Sequence, residues 1–130
     1  MTNTTLSCVL RSMDLSKCKP IIENHIYYVE KIVSQNVNGH IYREKYEFLI
    51  ITEFNIKKAI ILRCGTIDLH WYVFHQYRNQ HVLSNALKTG VISEIWPENK
   101  SITCHYGFGD TEDKYNLTCH LAKLACLEVK

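Results

Sequence analysis

Tyr46 to Tyr77 reads YEFLIITEFNIKKAIILRCGTIDLHWYVFHQY, and this stretch decides the fold. Its apolar runs, Phe48 to Thr52 and Ala59 to Leu62, are strand-sized and rich in the β-branched and aromatic side chains that suit a pleated surface. Strands are expected over Ile41 to Phe54, Lys57 to Arg63 and Asp68 to Tyr77. Turns at Asn55 and at Cys64-Gly65-Thr66 separate them. Just upstream, His25 to Ser34 (HIYYVEKIVS) gives one more strand, followed by Val37-Asn38-Gly39-His40. Asn-Gly between apolar runs is the strongest short-range hairpin signal. Connections this short cannot join parallel neighbours, so the four strands run as an antiparallel meander.

Outward from this core the periodicity changes. Val82, Leu83, Ala86, Leu87 and Val91 recur at helical spacing, with Gly90 as the expected end of that helix. Its apolar stripe is expected to pack on the outside of the sheet. Ile95-Trp96-Pro97 breaks the pattern, and Ser101 to His105 gives a last short strand. Gly107 to Lys114 reads as a polar loop. Asn116 to Leu127 reads as a second helix, with Leu117, Leu121, Leu124 and Ala125 on one side. At the other end, Leu6 to Arg11 is read as a short strand.

With 130 residues the chain is a single domain, 1–130. Hydrophobic residues make up 46% and charged residues 22%, a balance that excludes a disordered chain. The net charge of +2, with Lys57 and Lys58 as the only short basic cluster, argues against a nucleic-acid partner. No apolar run approaches the roughly 18–20 residues of a spanning helix, so membrane insertion is not expected.

Six cysteines, Cys8, Cys18, Cys64, Cys104, Cys119 and Cys126, are widely spaced, with no C-x-x-C. All are disulfide candidates, and spacing alone fixes no pairing. Sequons begin at Asn3, Asn99 and Asn116, so these are glycosylation candidates. Both features point to an extracellular, secreted, disulfide-bonded glycoprotein. The start, MTNTTLSCVL, lacks the apolar core of a signal peptide. A secreted chain would therefore begin inside a longer precursor; the other reading is a cytosolic chain with free thiols.

Catalytic and metal chemistry find little purchase. Cys104-His105, Cys119-His120 and Cys126 stand at intervals of fifteen and seven residues, against the close pairs of structural zinc sites. Alternation sends Asp68 and His70 to one face of their strand and His75 to the other. Ser84 lies on the expected surface helix. No G-x-S-x-G, H-E-x-x-H or phosphate loop occurs. The expectation is a protein that is not an enzyme, with no metal and no cofactor.

The order of these elements resembles the lipocalin family, in particular its insect and apolipoprotein D-like branch. Thr52-Glu53-Phe54 stands where that branch has Thr-Asp-Tyr at a strand end. Ala59 to Cys64 matches its apolar strand ending in Cys, and Leu69-His70-Trp71-Tyr72-Val73 its aromatic strand. Val82 to Val91 corresponds to the helix after the barrel, and Ile102-Thr103-Cys104 to the late strand and Cys. The departures are Glu53 for Asp, Phe54 for Tyr, His75 in place of an Arg, and the missing Gly-x-Trp strand. They suit a truncated or degenerate member.

The resemblance implies a lipocalin-like barrel, incomplete at this length, with the helix outside. It places Tyr46, Phe48, Ile50, Thr52 and Phe54 inward, with Ile60 and Leu62, and Trp71 and Val73. Glu47, Leu49, Glu53, Lys57, Ile61 and Arg63 then face outward, with Lys58 near a rim. The implied ligand site is Tyr46, Phe48, Ile50, Ile60, Leu62, Trp71 and Val73, an apolar and aromatic wall of the kind that lines small-molecule pockets. The branch also implies a bond from Cys64 to Cys8 or Cys18, with a further pair among Cys104, Cys119 and Cys126. The expected function is carriage of a small hydrophobic molecule. The alternative is a secreted β-sheet interaction protein without a pocket, its core filled by the same side chains.

Overall fold

Residues Glu47 to Thr52 of a single strand are all buried. A strand with one solvated face alternates, so unbroken burial means that both faces of this sheet are covered. The computed structural model describes residues 3–64, 68–99, 101–102 and 112–129. Chain order is α1 (Asn3–Ser12), a 3-10 turn (Leu15–Lys17), β1 (Lys19–Ile22), β2 (Ile26–Val37), β3 (His40–Glu53), β4 (Ile56–Cys64) and β5 (Asp68–Val73). After a second 3-10 turn (His75–Tyr77) come α2 (Val82–Leu87), α3 (Val91–Ile95), β6 (Ser101–Ile102), α4 (Glu112–Leu124) and β7 (Glu128–Val129).

Strands β1 to β5 form one antiparallel sheet in sequential order, the expected meander. The sheet is open and does not close into a barrel. Its edges are β1 and β5. The two-residue strands β6 and β7 pair in parallel, apart from the main sheet. Asn38 and Gly39 both take positive φ between paired Val37 and His40, as the Asn-Gly hairpin signal requires.

On one face, Phe48, Ile50, Ile60 and Leu62 pack with Leu6 and Leu10 of α1 and with Phe74. The expected strand over Leu6 to Arg11 is thus a helix. Leu6 and Leu10 are one helical turn apart and bury the same stripe, and that contact outweighs the β-branched content of the segment. Lys57 fastens the end of this helix to β4, its Nζ donating to the carbonyls of Arg11 and Met13 at 2.8 Å each. Those carbonyls have no intrahelical donor, and a cation there also suits the helix dipole. Asp14 starts the following turn by accepting from the Ser16 hydroxyl at 2.7 Å and the Ser16 N–H at 3.0 Å, which holds its carboxyl below the ordinary value.

On the opposite face, Leu49, Ile51, Ala59, Ile61 and Leu69 meet α2, α3 and α4. Leu49 and Ile61, expected to face solvent, are therefore fully buried. The layers run helix, sheet, helices. The expected helix over Val82 to Val91 is two, α2 and α3, with Gly90 between them at φ +78°. The N–H groups of Thr89 and Gly90 close the end of α2 on the carbonyls of Ala86 and Leu87. β5 ends at Val73 and not at Tyr77, where a 3-10 turn has begun. The second helix begins earlier than expected, at Glu112, so the polar stretch Gly107 to Lys114 is helical from there. Residues 103–105 and 107–111 lie outside the described residues, as do Gly65 and Thr66 of an expected turn.

β2 and β3 are longer than their neighbours. β1 pairs β2 only as far as Tyr28, and β4 pairs β3 only from Tyr46. The hairpin between therefore projects as a two-stranded ribbon. Among its side chains Ile32, Val33, Val37, Ile41 and Tyr42 are exposed.

Candidate functional site

The side chains implied to line a barrel fall into two groups. Phe48, Ile50, Ile60 and Leu62 are buried under α1, with Tyr46 packed against them. They touch one another and fill a core. Trp71 and Val73 are on the other face of the sheet. The register sets Trp71 opposite Ile61 and Val73 opposite Ala59, whereas Ile60 lies opposite Tyr72. Phe54, placed inward by the resemblance, is in the β3–β4 turn and 90% exposed. Thr52 is buried, its hydroxyl donating to the carbonyls of Asn24 and His25. Lys58 is buried, with Nζ 3.6 Å from Glu53 and 4.9 Å above the Tyr77 ring.

Trp71 and Val73 belong to a cleft of about 550 Å³. It wraps the edge strand β5, from which Trp71, Tyr72 and Val73 contribute. Val82, Leu83 and Ser84 of α2 form one wall, and Leu117, His120 and Leu121 of α4 another. Asn3 of α1 and Tyr77, Arg78, Asn79 and His81 of the connection after β5 complete the rim. Leu117 is 55% exposed at this cleft. Asn3 Oδ1 accepts from His70 Nε2 at 2.9 Å, which ties the start of α1 to β5.

Arg78 is held in place by two contacts. Its Nε donates to the edge carbonyl of Val73 at 3.1 Å, and its guanidinium lies 5.5 Å from the centre of the Tyr72 ring. Asn79 and His81 both hold positive φ, 64° and 59°. Asn and His visit this region more readily than other non-glycine residues, yet the conformation still costs free energy. His81 precedes α2 without capping it by its side chain. Described residues lining the cleft include no carboxylate. Nothing in the local sequence pattern marks Arg78, His81 or His120 as neighbours. The one legible trace is the stripe Leu117 and Leu121, interrupted by His120.

No group of three or more His, Cys, Asp or Glu among the described residues is arranged to hold a metal ion. Among the described residues, no helix is long and apolar enough to cross a membrane. Cys8, Cys18, Cys119 and Cys126 are free thiols. The bond expected from Cys64 to Cys8 or Cys18 is therefore not formed. For Cys18 the reason is topological: two strands separate β1 from β4, about 14 Å at ordinary strand spacing, beyond the reach of a disulfide. Burial, and then the charge of Asp14, push the Cys18 thiol up from its ordinary pKa. Cys104 lies outside the described residues. Of the sequon asparagines, Asn3 and Asn116 are exposed, whereas Asn99 is buried and cannot carry a glycan in the folded chain.

No protein-family model matches the chain, and neither a curated protein nor a solved structure matches it.

Proposed function

We propose that this chain is a binding protein for a small hydrophobic molecule, which it takes in the cleft beside β5. The observation that carries the reading is that cleft itself. Its volume, about 550 Å³, falls within the roughly 300–1,000 Å³ of ligand pockets. Trp71, Val73, Val82, Leu83 and Leu121 supply an apolar floor, and Tyr72 and Tyr77 supply aromatic faces with polar ends. The site differs from the lipocalin-like interior implied by the sequence, and retains two of its residues, Trp71 and Val73.

Titration with a neutral naphthalene probe tests the reading. Leu121→Asp replaces part of the apolar floor with a charged group and should abolish binding of this neutral probe. Phe48→Leu, in the packed core under α1, should lower thermal stability and leave binding intact below the melting transition. Loss of binding in Phe48→Leu together with retention in Leu121→Asp would overturn the assignment.

A second reading, an interaction protein, is favoured by the projecting ribbon. The register places Val33, Val37, His40, Tyr42 and Glu44 on one face of it. A two-fold stack on a second copy would set Val33 against Val37 and Glu44 against His40, apolar on apolar and acid on base. Sedimentation equilibrium tests this directly. A dimer that Tyr42→Lys dissociates supports it, and a wild-type monomer at about 100 μM removes it.

A further inference from the structure

We propose that the ligand of the cleft is an organic anion: a small apolar or aromatic body bearing a carboxylate or a similar acidic head. The inference rests on the reading of the cleft as a binding site and adds its charge preference. Among the described residues, the lining carries one permanent cation, Arg78, two imidazoles, His81 and His120, and no Asp or Glu. Against the described lining, a cationic ligand would meet Arg78 with no anion to compensate, and a purely apolar one would leave the Nη donors of the exposed Arg78 unused.

Arg78 is also poised for the role. The bond to Val73 engages Nε, leaving both Nη groups to present the paired donors that suit a carboxylate. Stacking on Tyr72 limits the rotamers that binding would otherwise freeze. The His81 imidazole is not spent on capping α2, and His120 faces the same space from α4. Asn3, Asn79 and Ser84 add neutral hydrogen-bonding groups. The hydroxyl of Ser84 already donates to the His81 carbonyl at 3.2 Å, so it holds the loop that carries His81. The aromatic and aliphatic side chains are left for the body of the ligand.

Equilibrium dialysis of the full chain at pH 7 tests the proposal with three probes of one shape: naphthalene-2-carboxylate, its carboxamide, and 2-naphthylmethylammonium. The carboxylate should bind about tenfold more tightly than the amide, the size expected of one charge-assisted hydrogen-bonded pair, and the ammonium most weakly. Arg78→Gln should remove the preference for carboxylate over the amide. Arg78→Lys, which keeps the charge and loses the fork, should retain part of the preference even if Arg78→Gln folds poorly. Equal binding of carboxylate and amide overturns the anion proposal and leaves the cleft reading standing. A preference that survives Arg78→Gln unchanged does the same, and so does tightest binding of the ammonium. Failure of all three probes to bind overturns the cleft reading and the proposal together.

Discussion

Arg63 stands directly across the β3–β4 pair from Glu47 and donates from Nη1 to its carboxylate at 3.0 Å. The Tyr28 hydroxyl donates to the other oxygen of Glu47 at 2.6 Å, so both carboxylate oxygens are engaged. Arg63 also pairs with Glu98 and lies 5.9 Å from the centre of the Trp96 ring, tying the loop after α3 to the sheet. The side chains of Glu47 and Arg63 are each 11% exposed. At that depth, removing one partner leaves a poorly solvated charge. Arg63→Met should cost about 3 kcal/mol, and Glu47→Leu less, because Arg63 keeps its pair with Glu98. The double variant should be closer to wild type than the sum of the two, because it strands neither charge. Urea titration of the four proteins measures this, and strict additivity would show that the pair does not act as a unit.

Tyr28 gives this network a pH signature. Burial, and then the hydrogen bond and charge of Glu47, raise its pKa above the ordinary 10.0. The folded chain therefore holds a proton that the unfolded chain releases from about pH 10 upward. Stability from this group is fully present below that pH and declines as pH rises toward the folded value. Between about pH 9 and 11 the wild type should lose stability more steeply than Tyr28→Phe, which has no phenol to ionise. Parallel slopes in chemical denaturation would exclude the linkage.

The meander is legible in the sequence because its signals are local. Asn38-Gly39 fixes one hairpin, and the β-branched runs on either side fix the strands. The faces are not legible in the same way. Phe48 to Ile51 and Ala59 to Leu62 carry no polar residue to mark a solvent side, because α1 covers one face and α2 to α4 the other. A barrel demands a solvated side, so it assigns Leu49 and Ile61 to the wrong environment. The helix α1 leaves a trace in Leu6 and Leu10, which Thr4, Thr5 and Val9 obscure. The cleft is the least legible feature. Arg78 and His120 are far apart in the chain, and only the packing of α4 against α2 brings them to one space.

The thiols should differ in reactivity in the order of their surroundings. Cys8 and Cys126 are exposed, Cys119 is intermediate, and Cys18 is buried with its Sγ 3.4 Å from the Asp14 carbonyl. Reactivity belongs to the thiolate, and both burial and the neighbouring Asp14 charge suppress it at Cys18. Peptide mapping after brief alkylation of the native protein should find Cys8 and Cys126 modified first and Cys18 last. Denaturant should erase the difference. Equal labelling of Cys18 and Cys8 in the folded protein would contradict the packing at the start of β1.

Phe54 and Asn55 occupy a two-residue turn between paired Glu53 and Ile56, and both hold positive φ, 54° and 62°. Asn tolerates that conformation, whereas Phe meets its own carbonyl through Cβ. The ring returns nothing by burial, since Phe54 is 90% exposed. Phe54→Asn should therefore stabilise the chain by about 1 kcal/mol, the lower end of the strain range for such a residue. That corresponds to roughly 4 °C in melting temperature for a domain of this size. Phe54→Val is the control: it also removes the ring, and a β-branched side chain suits positive φ no better. Calorimetry should rank Phe54→Asn above wild type and Phe54→Val at or below it. If both variants rise equally, loss of the exposed ring is responsible and the backbone argument fails.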